Sequence, residues 1–166
     1  PITQKNRNTL LFRDMGVDGI KTGFLTVEKY SLAASIKDGE RRMTSVVSGF
    51  KTKSERTRGS TRLLTWALRR FDTVKVAGKN EIIAKLNVWH GKKNKIETHV
   101  NEDVYITVPK RKKKTIKAVV EYNSPVRAPI KKGEKLAVLN IYVSGQLKKN
   151  AIGITLIPIN SKNFAK

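Results

Sequence analysis

The residues best suited to chemistry are Lys21, Thr22 and Gly23, which stand together in the segment VDGIKTGF at positions 17–24. Lys supplies a fixed cation and Thr a hydroxyl that both donates and accepts. Gly leaves room for another backbone or a ligand to come close. On a strand, Lys21 and Gly23 point to one face and Thr22 to the other. An exposed edge here could bind an extended peptide by adding it as a strand. A terminal carboxylate on that peptide suits an ammonium beside a hydroxyl, and the backbone amide of Phe24 is a candidate donor to an oxyanion. The tripeptide alone is a weak signal in a Lys-rich chain, so its context must carry the weight.

That context begins with Asp14-Met15-Gly16, a turn before a strand at residues 17–23. Residues 30–37 and 43–48 read as two more strands, joined at Asp38-Gly39, because Gly tolerates the positive φ of a tight hairpin. Thr52-Lys53-Ser54-Glu55 spells a capping box. In it the Thr52 hydroxyl meets the amide of Glu55, and the Glu55 carboxylate reaches back to the Thr52 amide. Leu63, Leu64, Ala67, Leu68 and Phe71 then recur at helical spacing. Arg56, Arg58, Arg62, Arg69 and Arg70 fall mostly off that stripe, and residues 1–8 are polar with no strong signal.

The character changes after Asp72. Short β-branched runs at 82–89, 104–108, 116–122, 136–143 and 151–159 are separated by turn residues such as His90-Gly91, Lys132-Gly133 and Ser144-Gly145. This punctuation predicts an all-β sandwich or small barrel, with a domain boundary near Thr73.

Composition limits the partners. The formal charge is +22, from 35 Lys+Arg against 13 Asp+Glu. Such a charge suits nucleic acid, an anionic membrane surface or an anionic cell-wall polymer. The aromatic content is only 7% and scattered, without the interleaving of a single-strand binder, so no specific nucleic acid is expected. The one dense block, Lys110-Arg111-Lys112-Lys113-Lys114, reads as a solvated hairpin tip, with contact to anionic lipid or wall polymer as the competing reading. There is no cysteine, hence no disulfide and no thiolate metal site. His90 and His99 are the only histidines and read as surface or turn residues, so no metal site is expected. Trp66 and Trp89 are assigned to packing. No run of about eighteen apolar residues is present. The chain opens on Pro1 without a signal peptide, which points to a processed or excised start.

Several stretches jointly carry a family resemblance: Asn8-Thr9-Leu10-Leu11-Phe12, the segment at 17–24, Tyr30-Ser31-Leu32-Ala33-Ala34-Ser35, Arg42-Met43-Thr44-Ser45-Val46-Val47-Ser48-Gly49, Leu63-Leu64-Thr65-Trp66-Ala67 and Ala128-Pro129-Ile130-Lys131-Lys132-Gly133-Glu134. The chain resembles the D-alanyl-D-alanine carboxypeptidases, the low-molecular-mass penicillin-binding proteins. In penicillin-recognising serine enzymes, KTG is one of three motifs; the others are a Ser-x-x-Lys with the nucleophile and a Ser-x-Asn type. The resemblance implies an α+β fragment at residues 1–72, antiparallel strands plus one helix from the penicillin-binding, β-lactamase-like domain. An all-β sandwich domain at 73–166 would follow it. It also implies a serine attack on the D-Ala-D-Ala bond of peptidoglycan pentapeptides, an acyl-enzyme, and no cofactor. Lys21 would bind the terminal carboxylate and tune the site, and Thr22 would hydrogen-bond it. Gly23 would admit the substrate strand, and the Phe24 amide would serve the oxyanion hole.

Two departures from the family pattern lie on the turn beyond Phe24: Leu25 where Thr is common, and Glu28-Lys29 where Ala-Gly often precedes the Tyr. Ser48-Gly49-Phe50-Lys51 spells Ser-x-x-Lys but follows KTG instead of preceding it, and Gly49 interrupts it, so it is rejected as the nucleophile motif. No Ser-x-Asn precedes KTG, and the catalytic residues are therefore expected outside the chain. The expected partners are the peptidoglycan stem peptide, β-lactams and an anionic membrane surface. A KTG strand with a free edge is also expected to pair with the upstream half of its domain or with a second copy. The implied setting is the periplasm, peripheral to the inner membrane. The tail at 160–166 reads as too short and polar for an amphipathic anchor. The rival reading is a basic β-rich protein that grips nucleic acid or another anionic polymer.

Overall fold

The computed structural model describes residues 1–39 and 41–161, which fall into two compact units, Pro1–Phe71 and Asp72–Lys166. The tail reading at 160–166 therefore lies largely outside the described residues. The first unit holds a three-stranded antiparallel sheet in the order β1-β2-β3: β1 Val17–Leu25, β2 Lys29–Asp38 and β3 Arg41–Phe50. Its single long helix, α1, spans Lys53–Arg70, and a 3-10 turn covers Thr9–Phe12. β2 is central because it is the most apolar strand. Leu32, Ala34 and Ile36 are buried and meet Leu10 of the 3-10 turn and Leu64 of α1, with Met15, Val17, Met43, Val47 and Leu68 packed around them.

α1 starts where its cap dictates. The Thr52 hydroxyl accepts from the Glu55 amide at 3.1 Å, as the capping box requires. The return bond differs from expectation: the Glu55 carboxylate accepts from the Lys51 amide, one residue earlier than Thr52. The buried face also differs. Arg56, Ser60 and Leu64 recur every fourth residue and are all buried, whereas Leu63 is exposed and Phe71 has left the helix to open the next strand. The core stripe thus runs upstream through a buried arginine.

A three-strand latch holds the far end of this sheet. Arg42 on β3 grips both carboxylate oxygens of Asp18 on β1 at 2.8 and 2.7 Å, and donates to the Ser35 hydroxyl on β2 in between. The Arg42 hydrogen bonds hold the Asp18 carboxyl below its ordinary range, against a smaller opposing effect of burial. A depressed folded-state pKa means the latch contributes above the ordinary Asp value and is lost as pH falls through the lowered one. Urea midpoints of the chain and of Asp18→Asn should therefore differ by a constant amount above about pH 4 and converge below it. A difference that persists unchanged to the acid limit would contradict the latch.

The second unit is almost wholly β. It contains β4 Phe71–Ala77, β5 Ile82–Trp89, β6 Lys95–Val100, β7 Val104–Pro109, β8 Ile116–Glu121, β9 Val126–Arg127, β10 Lys135–Val143 and β11 Gln146–Ile154. Six of these form one sheet in the order β8-β10-β11-β6-β5-β9, and β4 pairs with β7 in a two-stranded sheet. Ala77, Val104, Ile106 and Val108 of the small sheet meet Leu139, Ile141 and Val143 of β10 in one buried cluster. Leu86, Ile96, Ala128, Ile130, Ala137 and Ile159 form a second.

Several sequence expectations are corrected in this unit. The runs at 71–77 and 95–100 are strands that the pattern did not announce, and the last strand is Gln146–Ile154 instead of 151–159. It closes a tight hairpin with β10 across Ser144-Gly145, both of which take positive φ. The basic block is not a hairpin tip: Lys110–Thr115 is a 3-10 turn between β7 and β8, which belong to different sheets. His99 is not a surface residue; it is buried in β6, with its Nδ1 2.9 Å from the Asn80 carbonyl. His90 does occupy the turn after β5 and packs its ring on Trp89 at 4.2 Å. Trp66 packs on Phe71 and Trp89 on His90 and Arg127, yet each leaves about half of its surface exposed, at 50% and 54%.

Candidate functional site

β1 is an edge strand, paired with β2 alone. Its register with β2 sets Lys21 opposite Ala33, Thr22 opposite Leu32, Gly23 opposite Ser31 and Phe24 opposite Tyr30. Beside it runs a concavity of about 960 Å³, lined by residues 20–24, Tyr30, residues 4–9, Lys53 and Arg56. All four residues expected from the sequence, Lys21, Thr22, Gly23 and Phe24, line this one cleft. Lys21 is exposed and donates from Nζ to the Thr22 carbonyl at 2.8 Å, while Thr22 and Gly23 are half-buried. Phe24 packs its ring on Tyr30 at 4.7 Å.

Gly23 has a reason visible in the packing. A Cβ there would fall inside van der Waals contact of the Ser31 hydroxyl on β2. The cross-strand neighbour occupies the space a side chain would fill.

The facing wall is built from the N-terminal segment, whose residues 1–8 are polar with no strong signal in the sequence, and from α1. Asn8 is buried; its carboxamide accepts from the Leu10 amide at 3.2 Å and donates to the Gly19 carbonyl of β1 at 3.1 Å. Thr9 exchanges a hydrogen bond with Thr57 of α1 at 2.8 Å, and Arg56 donates from Nη2 to the Arg7 carbonyl at 3.0 Å. The segment is thus stitched to β1 at one side and to α1 at the other, and the cleft lies between.

Arg56 is the residue that sequence reasoning missed. It is only 4% exposed, its Nε has no hydrogen-bond partner, and no carboxylate lies within ion-pair distance among the described residues. Burial pushes its guanidinium below the ordinary value, with Tyr30 acting weakly in the opposite sense. A desolvated cation without an acid is costly unless something anionic completes it. A signal did exist: Arg56 precedes Leu64 by two i,i+4 steps and so shares its buried face.

The electrostatics are one-sided. Lys5, Arg7, Lys21, Lys53 and Arg56 line the cleft, and no Asp or Glu does. The arrangement can hold an anionic, extended ligand against a strand edge. Ser48 lies on β3, Gly49 takes φ +82 behind it, and neither Ser48 nor Lys51 lines the cleft. Among the described residues, no group of three or more His, Asp or Glu is placed to bind a metal. No helix of the described residues is long and apolar enough to cross a membrane.

Comparison with known proteins adds the relatives. Residues 71–164 match the profile of the penicillin-binding protein 5 C-terminal domain. Over 165 residues the chain is 35% identical to the D-alanyl-D-alanine carboxypeptidase DacA of Escherichia coli K12, covering 98% of this chain and 41% of that protein. It is 34% identical over 143 residues to the D-alanyl-D-alanine carboxypeptidase DacF of Bacillus subtilis, covering 86% of this chain and 37% of that one. The crystal structure of penicillin binding protein 5 from Haemophilus influenzae superposes with a TM-score of 0.86 at 31% identity, over 96% of this chain and 47% of that chain. The D-alanyl-D-alanine carboxypeptidase DacD from Francisella tularensis gives 0.67 at 29% identity, over 96% and 40%. The chain spans less than half the length of each relative.

Proposed function

Because the chain belongs to the D-alanyl-D-alanine carboxypeptidases of the penicillin-binding protein 5 type, we propose that it supplies the substrate-holding wall of a serine-type carboxypeptidase. The reaction is removal of the terminal D-Ala from peptidoglycan pentapeptides through an acyl-enzyme, with β-lactams as mimics of the same substrate. The observation that carries this reading is the acid-free, cation-lined cleft along the open edge of β1.

Each residue has a part. The stem peptide lies along β1 as an added strand. Lys21 and Thr22 take its terminal carboxylate, and Arg56 supplies a second, desolvated cation for the same negative charge. Gly23 keeps the strand thin, and the Phe24 amide donates to the oxyanion. The serine and its general base come from an upstream half of the catalytic domain. That half, or a second copy, joins at the unpaired edges of the sheet. Residues 73–166 form the accessory β-sandwich domain, and the whole works in the periplasm, peripheral to the inner membrane.

The test is intact-mass analysis of the chain after incubation with a labelled β-lactam. The reading expects no stable adduct on the chain by itself. An adduct on Ser48 would overturn it, because the nucleophile would then lie in the chain.

A further inference from the structure

We propose that the 3-10 turn Lys110–Thr115 is a docking ridge for the carboxylate-bearing wall polymer. The choice of polymer rests on the reading of the cleft given above. The turn belongs to the second unit, and the contact would be a non-catalytic one.

A 3-10 helix has three residues per turn, so side chains at i and i+3 eclipse. Six residues therefore make three ridges of two. The first ridge, Lys110 and Lys113, turns to Asp72, with ammonium-to-carboxylate distances of 3.8 and 3.6 Å. The second, Lys112 and Thr115, is tied down: the Thr115 hydroxyl donates to the Lys112 carbonyl at 2.8 Å and accepts from the Ser144 amide at 3.1 Å. Lys112 is half-buried. The third ridge, Arg111 and Lys114, is exposed, and no carboxylate lies within ion-pair distance of it among the described residues. Two of the three ridges fix the turn, and the third presents its cations to solvent.

The chemistry of that ridge selects the occupant. The backbones of its two residues sit about 6 Å apart along the axis, from three residues at the 3-10 rise. Arg offers a planar fork that matches a carboxylate, and Lys adds a point charge beside it. The turn, KRKKKT, carries no apolar side chain that could insert into a bilayer. Peptidoglycan repeats carboxylates on its stem peptides along the glycan and so can offer one to each cation.

The test is co-sedimentation of the full chain with purified peptidoglycan sacculi over a salt series. The Arg111→Gln/Lys114→Gln variant is compared with Lys92→Gln/Lys93→Gln, which removes the same charge from the exposed turn after β5. The ridge variant should bind about 5-fold more weakly or worse, and the charge-matched control should change by less than about 2-fold. Amidating the sacculus carboxylates should bring the unmodified chain down to the level of the ridge variant. Equal losses in the two variants would overturn the proposal in favour of bulk charge. Loss of binding to phosphatidylglycerol-rich vesicles with unchanged sacculus binding would overturn it in favour of a bilayer. A soluble pentapeptide titrated against the ridge variant separates the two readings, since cleft binding at Lys21–Phe24 should be unaffected. Ridge-dependent sacculus binding without cleft binding would sustain the ridge and sink the cleft.

Discussion

Arg56→Met should make the cleft bind a D-Ala-D-Ala peptide more weakly while leaving the fold about as stable as before. Met fills nearly the same volume and removes a buried cation that has no acid partner. Replacing such a charge by a packed apolar group is commonly neutral or stabilising. The opposing cost is the charge-assisted bond to the Arg7 carbonyl, about 1.5–3 kcal/mol, which the relief of burying the charge offsets. Binding should move the other way. A hydrogen bond to a charged group is worth about 1.5–3 kcal/mol, so peptide affinity should fall roughly 10- to 150-fold. Arg56→Lys keeps a cation without the planar fork and should fall between the two. Urea unfolding and peptide titration on the same samples read the split. A Met variant that loses several kcal/mol of stability with unchanged affinity would assign Arg56 to structure alone.

Gly23→Ala should cost about 1–3 kcal/mol of stability, and Ser31→Ala should restore most of it. The added Cβ meets the Ser31 hydroxyl, the partner directly opposite on β2. With that hydroxyl gone, the nearest remaining atom is the residue 31 Cβ at 3.8 Å, an ordinary contact. The rescue is specific to the pair, because neither change touches the core of Leu10, Leu32, Ala34, Ile36 and Leu64. A double-mutant cycle in urea measures it. Additive losses would show that Gly23 is required for some reason other than its cross-strand neighbour.

What was legible in the sequence follows from range. The capping box at Thr52 is a local device over three residues, and only the choice of Lys51 as the return donor needed the fold. The segment at 17–24 could be read because its residue types, its preceding turn and its following hairpin are all contiguous. β6 escaped notice because its inward set in KIETHV is Ile96, Thr98 and Val100, with a threonine in the middle that satisfies itself on the Ala84 carbonyl. β11 was placed too late because its first half, QLKKN, is exposed and polar, held in register by β10 and not by its own pattern. The basic block looked like a hairpin tip because sequence does not show that its flanking strands join different sheets. The facing wall of the cleft was the least visible part. Thr9 and Arg56 come together through contacts about fifty residues apart, between Arg7 and Arg56 and between Thr9 and Thr57.

The central claim is that the cleft beside β1 holds the terminal carboxylate of a stem peptide. The direct test is a backbone NMR titration of the chain with an acyl-D-Ala-D-Ala peptide and with the same peptide as its C-terminal amide. The account predicts shifts at Lys21–Phe24 and at Arg7 and Arg56 with the acid, and their loss with the amide. Equal shifts with acid and amide, or shifts confined to residues outside the cleft, would contradict it.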